Sequence, residues 1–155
     1  MFIRPYNSAD AEALVKVFQD AVIHTGSQAY SPEQAAVWAS YPTEVESFRQ
    51  QLSRGLTLVA VSDNMPVAFG QLDPIDYIAF LYTASYAGRQ GCATAIYQQL
   101  EARSIEQNAV GLRTAASRIS KHFFLKMGFH VVETEWVDRK GLLFERFKME
   151  KQFTT

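Results

Sequence analysis

An apolar strand, a loop with two glycines and an amphipathic helix follow one another in the middle of the chain, and this order strongly constrains the fold. The strand runs from Tyr77 to Tyr82 and is nearly all apolar, which is typical of a strand at the buried centre of a sheet. Gly88 and Gly91 punctuate the loop that follows. The helix after the loop carries one apolar face made of Ala93, Ile96, Tyr97 and Leu100.

Hydrophobic periodicity divides the rest of the chain into further helices and strands. A short strand at residues 2–4 precedes helical segments that begin near Ser8, Ser31 and Thr43, and the last two open with capping-box patterns. Further strands are predicted at residues 56–61, 66–72, 109–114, 130–137 and 142–149, and a helix at 117–127. These elements predict one domain, residues 1–155, of class α/β (α+β), with a mixed, twisted β-sheet and helices on both faces.

Composition and charge limit the classes of protein to which the chain can belong. Its 155 residues are 48% hydrophobic and 20% charged, which suits one globular domain. The net charge of −1 provides no global basic field for nucleic acid or an anionic membrane. Cys92 is the only cysteine, and no apolar stretch approaches the ~20 residues of a membrane span. We therefore expect a cytoplasmic protein with no nucleic-acid or membrane partner, and we leave a homodimer open.

The glycine loop has the properties of a phosphate-binding turn. The first N–H groups of a helix lack partners within the helix and carry partial positive charge, so they attract an anion. Gly88 and Gly91 would let the backbone approach a pyrophosphate closely, and Arg89 could add a charged contact. An ordinary loop between a strand and a helix, with a glycine for its backbone conformation, is the alternative. The spacing is neither that of a Walker loop nor that of a dinucleotide fingerprint.

Two motifs resemble those of the GCN5-related N-acetyltransferase (GNAT) superfamily. Residues 88–93, Gly-Arg-Gln-Gly-Cys-Ala, are similar to motif A, in which a strand precedes Gln/Arg-x-x-Gly-x-Gly/Ala and a helix. Residues 120–129 resemble the end of motif B, where a helix closes in an aromatic pair, a glycine and a phenylalanine. Agreement of both motifs with the element order along nearly the whole chain makes the resemblance specific. It implies a GNAT fold and an acyltransferase that passes an acetyl group from acetyl-CoA to a primary amine.

The resemblance also implies which residues bind the cofactor. In the family, the strand before the glycine loop is bulged and separated from the next strand, so that its free N–H groups face the thioester. The implied cofactor-binding residues are Leu81, Tyr82, Thr83, Gly88, Arg89, Gln90, Gly91, Cys92, Ala93, Thr94, Ser117, Phe123 and Phe124. The chain departs from the pattern in two places. Gly88 stands at the family's Gln/Arg position, and Phe124 stands where a tyrosine often serves as the general acid.

Acyl transfer from a thioester to an amine needs a neutral amine, donors for the oxyanion and a proton for the departing thiolate. Asp76 and His24 are candidates for the base, and Tyr82 is a candidate for the acid. Each has a structural alternative: a turn acid for Asp76, a cation at a helix C-terminus for His24 and a core aromatic for Tyr82. Cys92 lies at a helix N-terminus, but the resemblance places it at the pyrophosphate end, so we expect direct, sequential transfer without an acyl-cysteine.

The acceptor side of the predicted site is rich in aromatic residues. In the resembled fold the acceptor lies between the first two helices and the late strands, where Tyr30, Trp38 and Trp136 fall. Aromatic walls can hold an apolar amine or a cation, although packing of helices on the sheet is an equal alternative. The acceptor is a small-molecule or peptide amine that the sequence does not identify. The histidines lack metal-ligand spacing, so no metal is expected. A catalytically silent, CoA-binding regulatory module on the same fold is the alternative function, and a nucleotide-binding domain is a weaker one.

Overall fold

The computed structural model describes residues 1–42, 44–88 and 90–154, and within them seven strands form one mixed sheet. The strand order is β1-β2-β3-β4-β5-β7-β6, and all neighbours are antiparallel except the parallel pair β4 and β5. The strands are β1 (Phe2–Pro5), β2 (Leu56–Ser62), β3 (Met65–Leu72), β4 (Tyr77–Thr83), β5 (Gly111–Ala116), β6 (His130–Arg139) and β7 (Leu142–Gln152).

Helices cover both faces of the sheet, which confirms the predicted architecture. The α-helices are α1 (Ala11–Asp20), α2 (Pro32–Ala39), α3 (Val45–Leu52), α4 (Cys92–Glu106) and α5 (Lys121–Lys126). On one face, Phe18 of α1 and Phe48 of α3 join an apolar cluster with Phe69 and Phe80 of the sheet. On the other face, α4 packs closely against β3 because Gly70 has no side chain. A Cβ at Gly70 would lie only 2.7 Å from Ile96 Cγ2. Each face therefore has its own hydrophobic core.

Local capping explains where most of the early helices begin. Asn7 caps a 3-10 turn that leads into α1, and Ser31 and Gln34 form the predicted capping box at the start of α2. Glu44, without a side-chain cap hydrogen bond, is the N-cap of α3. Thr43 itself lies outside the described residues. After Asp20, α1 continues as one π-helical turn, Ala21–Thr25.

The largest boundary difference concerns the helix predicted at residues 117–127. The structure begins α5 only at Lys121, because the hydroxyls of Ser117 and Ser120 bond backbone N–H groups and form a separate turn before the helix. The strand predicted at 109–114 runs instead from Gly111 to Ala116. No helix in the described parts of the chain is long and apolar enough to cross a membrane.

Candidate active site

The parallel strands β4 and β5 separate from each other and leave a V-shaped opening in the sheet. They pair only at their beginnings, where Tyr77 is opposite Arg113 and Ile78 is opposite Thr114. A β-bulge at Ala79 interrupts the register of β4 with β3 at the same point. From Ala79 to Thr83, the edge of β4 that faces β5 has no strand partner among the described residues. Backbone groups along this edge are therefore available to a ligand.

The opening explains why β4 is less buried than its apolar sequence predicts. We expected a strand buried on both faces, but only Ile78 and Phe80 of β4 are buried and the other five residues are partly exposed. Leu81 points toward the α4 face, since its Cδ1 lies 3.1 Å from the position of a Cβ on Gly70. Tyr82 packs on the opposite face, toward α1. Leu81, Tyr82 and Thr83 thus lie along the open edge, as predicted.

The glycine loop lies at the wide end of this opening and leads into the N-terminus of α4. Gly91 is the N-cap of α4, adopts a left-handed conformation with φ of 76° and provides no side-chain cap to the helix. A Cβ on Gly91 would meet no atom within 4 Å. The space in front of Gly91 is therefore open, and Ala93 and Thr94 in the first turn of α4 are partly exposed. This arrangement can hold an anionic group against the helix N-terminus.

The other predicted residues of the loop that the structure describes are partly exposed and partly buried. Gly88 and Gln90 are exposed, and both lie in the loop that leads to Gly91. Arg89, predicted to contact cofactor phosphate, lies outside the described residues. Cys92, the first residue of α4, has its side chain buried in the core, and burial raises the pKa of its thiol. A buried thiol with a raised pKa is a poor nucleophile, in agreement with the expectation of transfer without an acyl-cysteine.

The Tyr82 hydroxyl belongs to an aromatic layer between the sheet and α1. Its ring lies 4.8 Å from the ring of Phe18 and 5.8 Å from that of Phe69, both measured between centroids. Burial raises the pKa of Tyr82, and an interaction with the Trp38 side chain opposes the rise. The phenol is therefore protonated at neutral pH and can donate a hydrogen bond.

The structure places Asp76 at the closed end of the opening. Its carboxylate accepts two hydrogen bonds from the guanidinium of Arg113, at 3.1 and 3.2 Å, and these bonds lower the pKa of Asp76. A carboxylate with a lowered pKa is a weaker base. Asp76 also precedes Tyr82 by six residues, roughly 20 Å of extended chain. These facts favour a structural role for Asp76, in which it ties β4 to β5.

His24 lies in the π-helical turn that extends α1, at the other end of the opening. Its Nε2 atom is 3.5 Å from Oδ1 of Asp20, and the side chain is exposed. The same Asp20 carboxylate accepts hydrogen bonds from the backbone N–H and the hydroxyl of Ser85, which lies two residues after the end of β4. His24 is thus held on the α1 side of the sheet, near the wide end of the opening. π-Helical turns occur frequently at functional sites.

The aromatic residues predicted for the acceptor side lie together in the structure. Tyr30 and Trp38 make an edge-to-face contact with ring centroids 5.3 Å apart. The guanidinium carbon of Arg118 lies 5.5 Å from the ring centroid of Tyr30 and 5.9 Å from that of Trp136. Tyr30 is buried, whereas Trp136 is 56% exposed. Trp38 and Tyr82 both pack against the apolar cluster on the α1 face, so aromatic residues extend from the outer hairpin toward the opening between β4 and β5.

Arg118 and Asp20 were not predicted from the sequence. Arg118 lies two residues after the end of β5 and is held by Glu145 at 3.0 Å and by the carbonyl of Ala29 at 3.2 Å. Residues just after the carboxyl end of a parallel strand often contact ligands, so this position could have indicated Arg118 from the sequence. No local pattern indicates Asp20, because its partner Ser85 is 65 residues away in the sequence.

The motif-B residues are more buried than the resemblance implies. Phe124 is only 2% exposed, and its ring centroid lies 5.1 Å from that of Phe129 and 5.4 Å from that of Phe123. Phe124 is thus a core side chain of the α4 face, and Phe123 beside it is partly exposed. The hydroxyl of Ser117 is engaged with the backbone N–H groups of its own turn. Within the described residues, no group of His, Cys, Asp and Glu side chains is arranged to hold a metal ion.

Comparison with known proteins agrees with this geometry. The acetyltransferase (GNAT) domain family matches residues 27–152 of the chain. The uncharacterized N-acetyltransferase YafP of Escherichia coli K12 is 32% identical over 148 residues, which cover 95% of this chain and 93% of that protein. A GCN5-related N-acetyltransferase of Rhodopseudomonas palustris superposes with a TM-score of 0.93 at 28% identity and covers 98% of this chain and 95% of its own. PaiA N-acetyltransferase of Thermoplasma acidophilum, solved with coenzyme A, has a TM-score of 0.77 at 21% identity and covers 98% of each chain.

Proposed function

The chain belongs to the GNAT family of acetyltransferases, and we propose that it transfers an acetyl group from acetyl-CoA directly to the primary amine of a small molecule or a peptide. The observation that carries this proposal is the opening between β4 and β5, which ends at an unobstructed helix N-terminus. An extended pantetheine arm fits along a free strand edge, and a pyrophosphate fits at a helix N-terminus. The complex of the PaiA relative with coenzyme A supports the same cofactor.

In the proposed binding mode, the glycine loop and α4 hold the phosphates while β4 holds the thioester. The N–H groups of residues 91–94 face the pyrophosphate, with Gly88 and Gln90 beside it and Arg89 adding its charge. The backbone of Leu81, Tyr82 and Thr83 borders the pantetheine arm and the thioester carbonyl. Its free N–H groups would stabilise the negative charge that develops on the carbonyl oxygen during attack. Ser117 and Phe123 border the arm from the β5 side.

The proposed reaction is a single displacement. The amine must lose a proton to attack, because a free primary amine has a pKa of about 10. His24 is the better candidate to accept this proton, directly or through water, because the carboxylate of Asp76 is engaged in an ion pair with Arg113. The amine nitrogen then bonds to the thioester carbon, the carbon–sulfur bond breaks, and the thiolate takes a proton from Tyr82 or from water. The proton that the nitrogen releases as the amide forms passes to water, which reprotonates Tyr82 where Tyr82 was the donor. Phe124 has no proton to supply.

On the acceptor side, we place the amine against the aromatic residues between α2 and the hairpin of β6 and β7. Tyr30, which is buried, and Trp38, which is partly buried, form one wall, and Trp136 supplies an exposed ring. Arg118 and Glu145 form an ion pair at 3.0 Å beside these rings, so the wall combines apolar surface with both signs of charge. Such a wall suits an amine attached to an apolar or aromatic body.

Ligand stabilisation tests the proposed function directly. Thermal denaturation is measured with acetyl-CoA, free CoA and ATP side by side, since a ligand raises the melting temperature according to its affinity. We expect both CoA compounds to stabilise the protein and ATP to have no effect. CoA release is then followed with a panel of primary amines. Equal stabilisation by ATP, or CoA binding without release for any amine, would contradict the proposal, and the second result would identify a silent CoA-binding module.

Replacement of Cys92 tests the direct transfer. Cys92→Ala is expected to keep most of the activity, because the thiol is buried and its raised pKa keeps it protonated. Mass spectrometry of the wild-type protein with acetyl-CoA and no acceptor is expected to detect no stoichiometric acylation of the chain. An acetyl group trapped on Cys92 would instead establish a covalent intermediate.

Replacement of Trp136 tests the acceptor side. Trp136→Ala is expected to raise the KM for the amine roughly tenfold, through loss of one aromatic contact, and to leave the KM for acetyl-CoA unchanged. Leu143→Ala is the matched control, because Leu143 lies on the same hairpin and is 54% exposed, close to the 56% of Trp136. Equal amine KM values in both variants would remove Trp136 from the acceptor site.

A further inference from the structure

We propose that Asp20 is a positioning residue for acetyl-CoA, an inference that rests on the proposed function. From the end of α1, its carboxylate holds the Ser85–Ala87 turn, which carries the chain from β4 into the glycine loop. Asp20 does not contact the cofactor in this proposal. It fixes the path of the backbone that does.

The Ser85–Ala87 turn lacks a cap of its own. Its N-cap is Ala84, which has no side chain able to accept a hydrogen bond from the turn. Asp20 supplies this acceptor from a distant part of the chain, with its Oδ2 2.5 Å from the Ser85 nitrogen and its Oδ1 3.2 Å from the Ser85 hydroxyl. Hydrogen bonds to a carboxylate are about twice as strong as neutral ones. Asp20 therefore accepts the hydrogen bond from the free N–H of this turn, as the side chain of a neighbouring N-cap residue usually does.

Asp20 finds its main hydrogen-bond partners outside its own helix. It is the last α-helical residue before the π-helical turn that continues the same helix. Its carboxylate accepts the two hydrogen bonds from Ser85. His24 adds a third contact, with Nε2 3.5 Å from Oδ1 of Asp20. The helix leaves α-helical geometry at this point and continues as the π-helical turn.

The Ser85–Ala87 turn controls how the chain enters the glycine loop. The N–H of Gly88 donates to the Ser85 carbonyl at 3.4 Å, and Gly91 follows three residues later. Without Asp20, the turn is free to sample other conformations, and only part of the population presents the loop correctly. The apparent dissociation constant for acetyl-CoA then equals the intrinsic constant divided by the fraction of protein in the binding-competent conformation.

The sign of the effect separates positioning from simple electrostatics. Acetyl-CoA is polyanionic, so removal of a nearby carboxylate should tighten its binding if charge alone acts. The proposal predicts the opposite for Asp20→Ala, a loss of about tenfold in affinity that corresponds to a competent fraction near one tenth. Asp20→Asn also removes the charge but keeps an oxygen that can accept the Ser85 N–H. Its affinity is expected to remain within about threefold of the wild type.

A proline at position 85 provides the decisive control. Ser85→Pro removes the N–H that needs a partner and fixes φ at a value suited to the first residue of a helical turn. Ala84, with ψ of 144°, already has the extended conformation that a residue before proline prefers. In this background the Asp20→Ala effect is expected to fall below about twofold, because the turn no longer depends on Asp20.

The experiment is calorimetric titration of acetyl-CoA into the wild type, the Asp20 variants and their combinations with Ser85→Pro. Weaker binding in Asp20→Ala that is suppressed by Ser85→Pro supports the proposal. Unchanged or tighter binding in Asp20→Ala overturns it, and so does an equal loss in both backgrounds. If Asp20→Ala does not fold, Asp20→Leu, which also lacks a hydrogen-bond acceptor, is compared in the two backgrounds under the same criteria. Failure of the wild type to bind acetyl-CoA would instead overturn the proposed function.

Discussion

Gly91→Ala is expected to weaken acetyl-CoA binding at least tenfold, which is about 1.4 kcal/mol of binding free energy. A Cβ at this position would meet no protein atom within 4 Å, so the methyl group would project into the space where the proposed pyrophosphate approaches α4. The substitution also carries a cost unrelated to the ligand. The φ of 76° at Gly91 is left-handed, and a residue with a Cβ loses about 1–2 kcal/mol there.

Gly141→Ala separates the two effects. Gly141 lies in the turn between β6 and β7, has a φ of 84°, and a Cβ there would also meet nothing within 4 Å. Both variants should lose similar stability in thermal denaturation, but only Gly91→Ala should lose affinity for acetyl-CoA in calorimetry. Equal affinities in the two variants would show that the phosphates bind elsewhere.

Local sequence patterns predicted the fold well because they act over a few residues. The capping box at Ser31, the glycines of the loop and the period of each strand depend only on near neighbours, and the structure confirms the mixed sheet with helices on both faces. The separation of β4 from β5 was implied by the family resemblance alone. No local pattern encodes it, because it depends on the Ala79 bulge and on pairing with strands distant in sequence.

The side-chain contacts of the site were less predictable for the same reason. The ion pair of Asp76 joins it to Arg113, 37 residues later in the sequence. Phe124, which the family resemblance implies to be a cofactor-binding residue, packs against Phe129 in the core. The carboxylate of Asp20 and the N–H of Ser85 are 65 residues apart in sequence. Partners at such separations are set by tertiary packing, which hydrophobic periodicity does not report.

The burial of Phe124 bears on how the thiolate leaves. Since the ring is 2% exposed, a hydroxyl added by Phe124→Tyr would need a partner in an apolar core rather than reach the thioester freely. Phe124 thus has no proton to donate, and the buried position leaves no free path from an added hydroxyl to the sulfur. We therefore propose that Tyr82, on the edge of the opening itself, assists the departing sulfur.

Tyr82→Phe is expected to lower kcat by about tenfold to a hundredfold while leaving the KM for acetyl-CoA nearly unchanged, as for removal of a transition-state hydrogen-bond donor. The raised pKa makes the phenol a weak acid, so we expect it to assist the sulfur mainly by hydrogen bonding, with water completing the proton transfer. The change removes one oxygen and keeps the ring that packs against Phe18 and Phe69. A loss of activity should therefore not reflect a loss of fold.

Tyr97→Phe is the matched control for this measurement. Burial raises the pKa of Tyr97, as it does that of Tyr82, but Tyr97 lies on α4 and its hydroxyl accepts a hydrogen bond from Lys151 at 3.5 Å, away from the β4 edge. Steady-state kinetics with one accepted amine should show a lower kcat only for Tyr82→Phe, with similar melting temperatures for the two variants. A kcat for Tyr82→Phe at the wild-type value would assign the proton transfer to water alone. An equal decrease in both variants would attribute the effect to general loosening of the core, because only Tyr82 lies beside the proposed thioester.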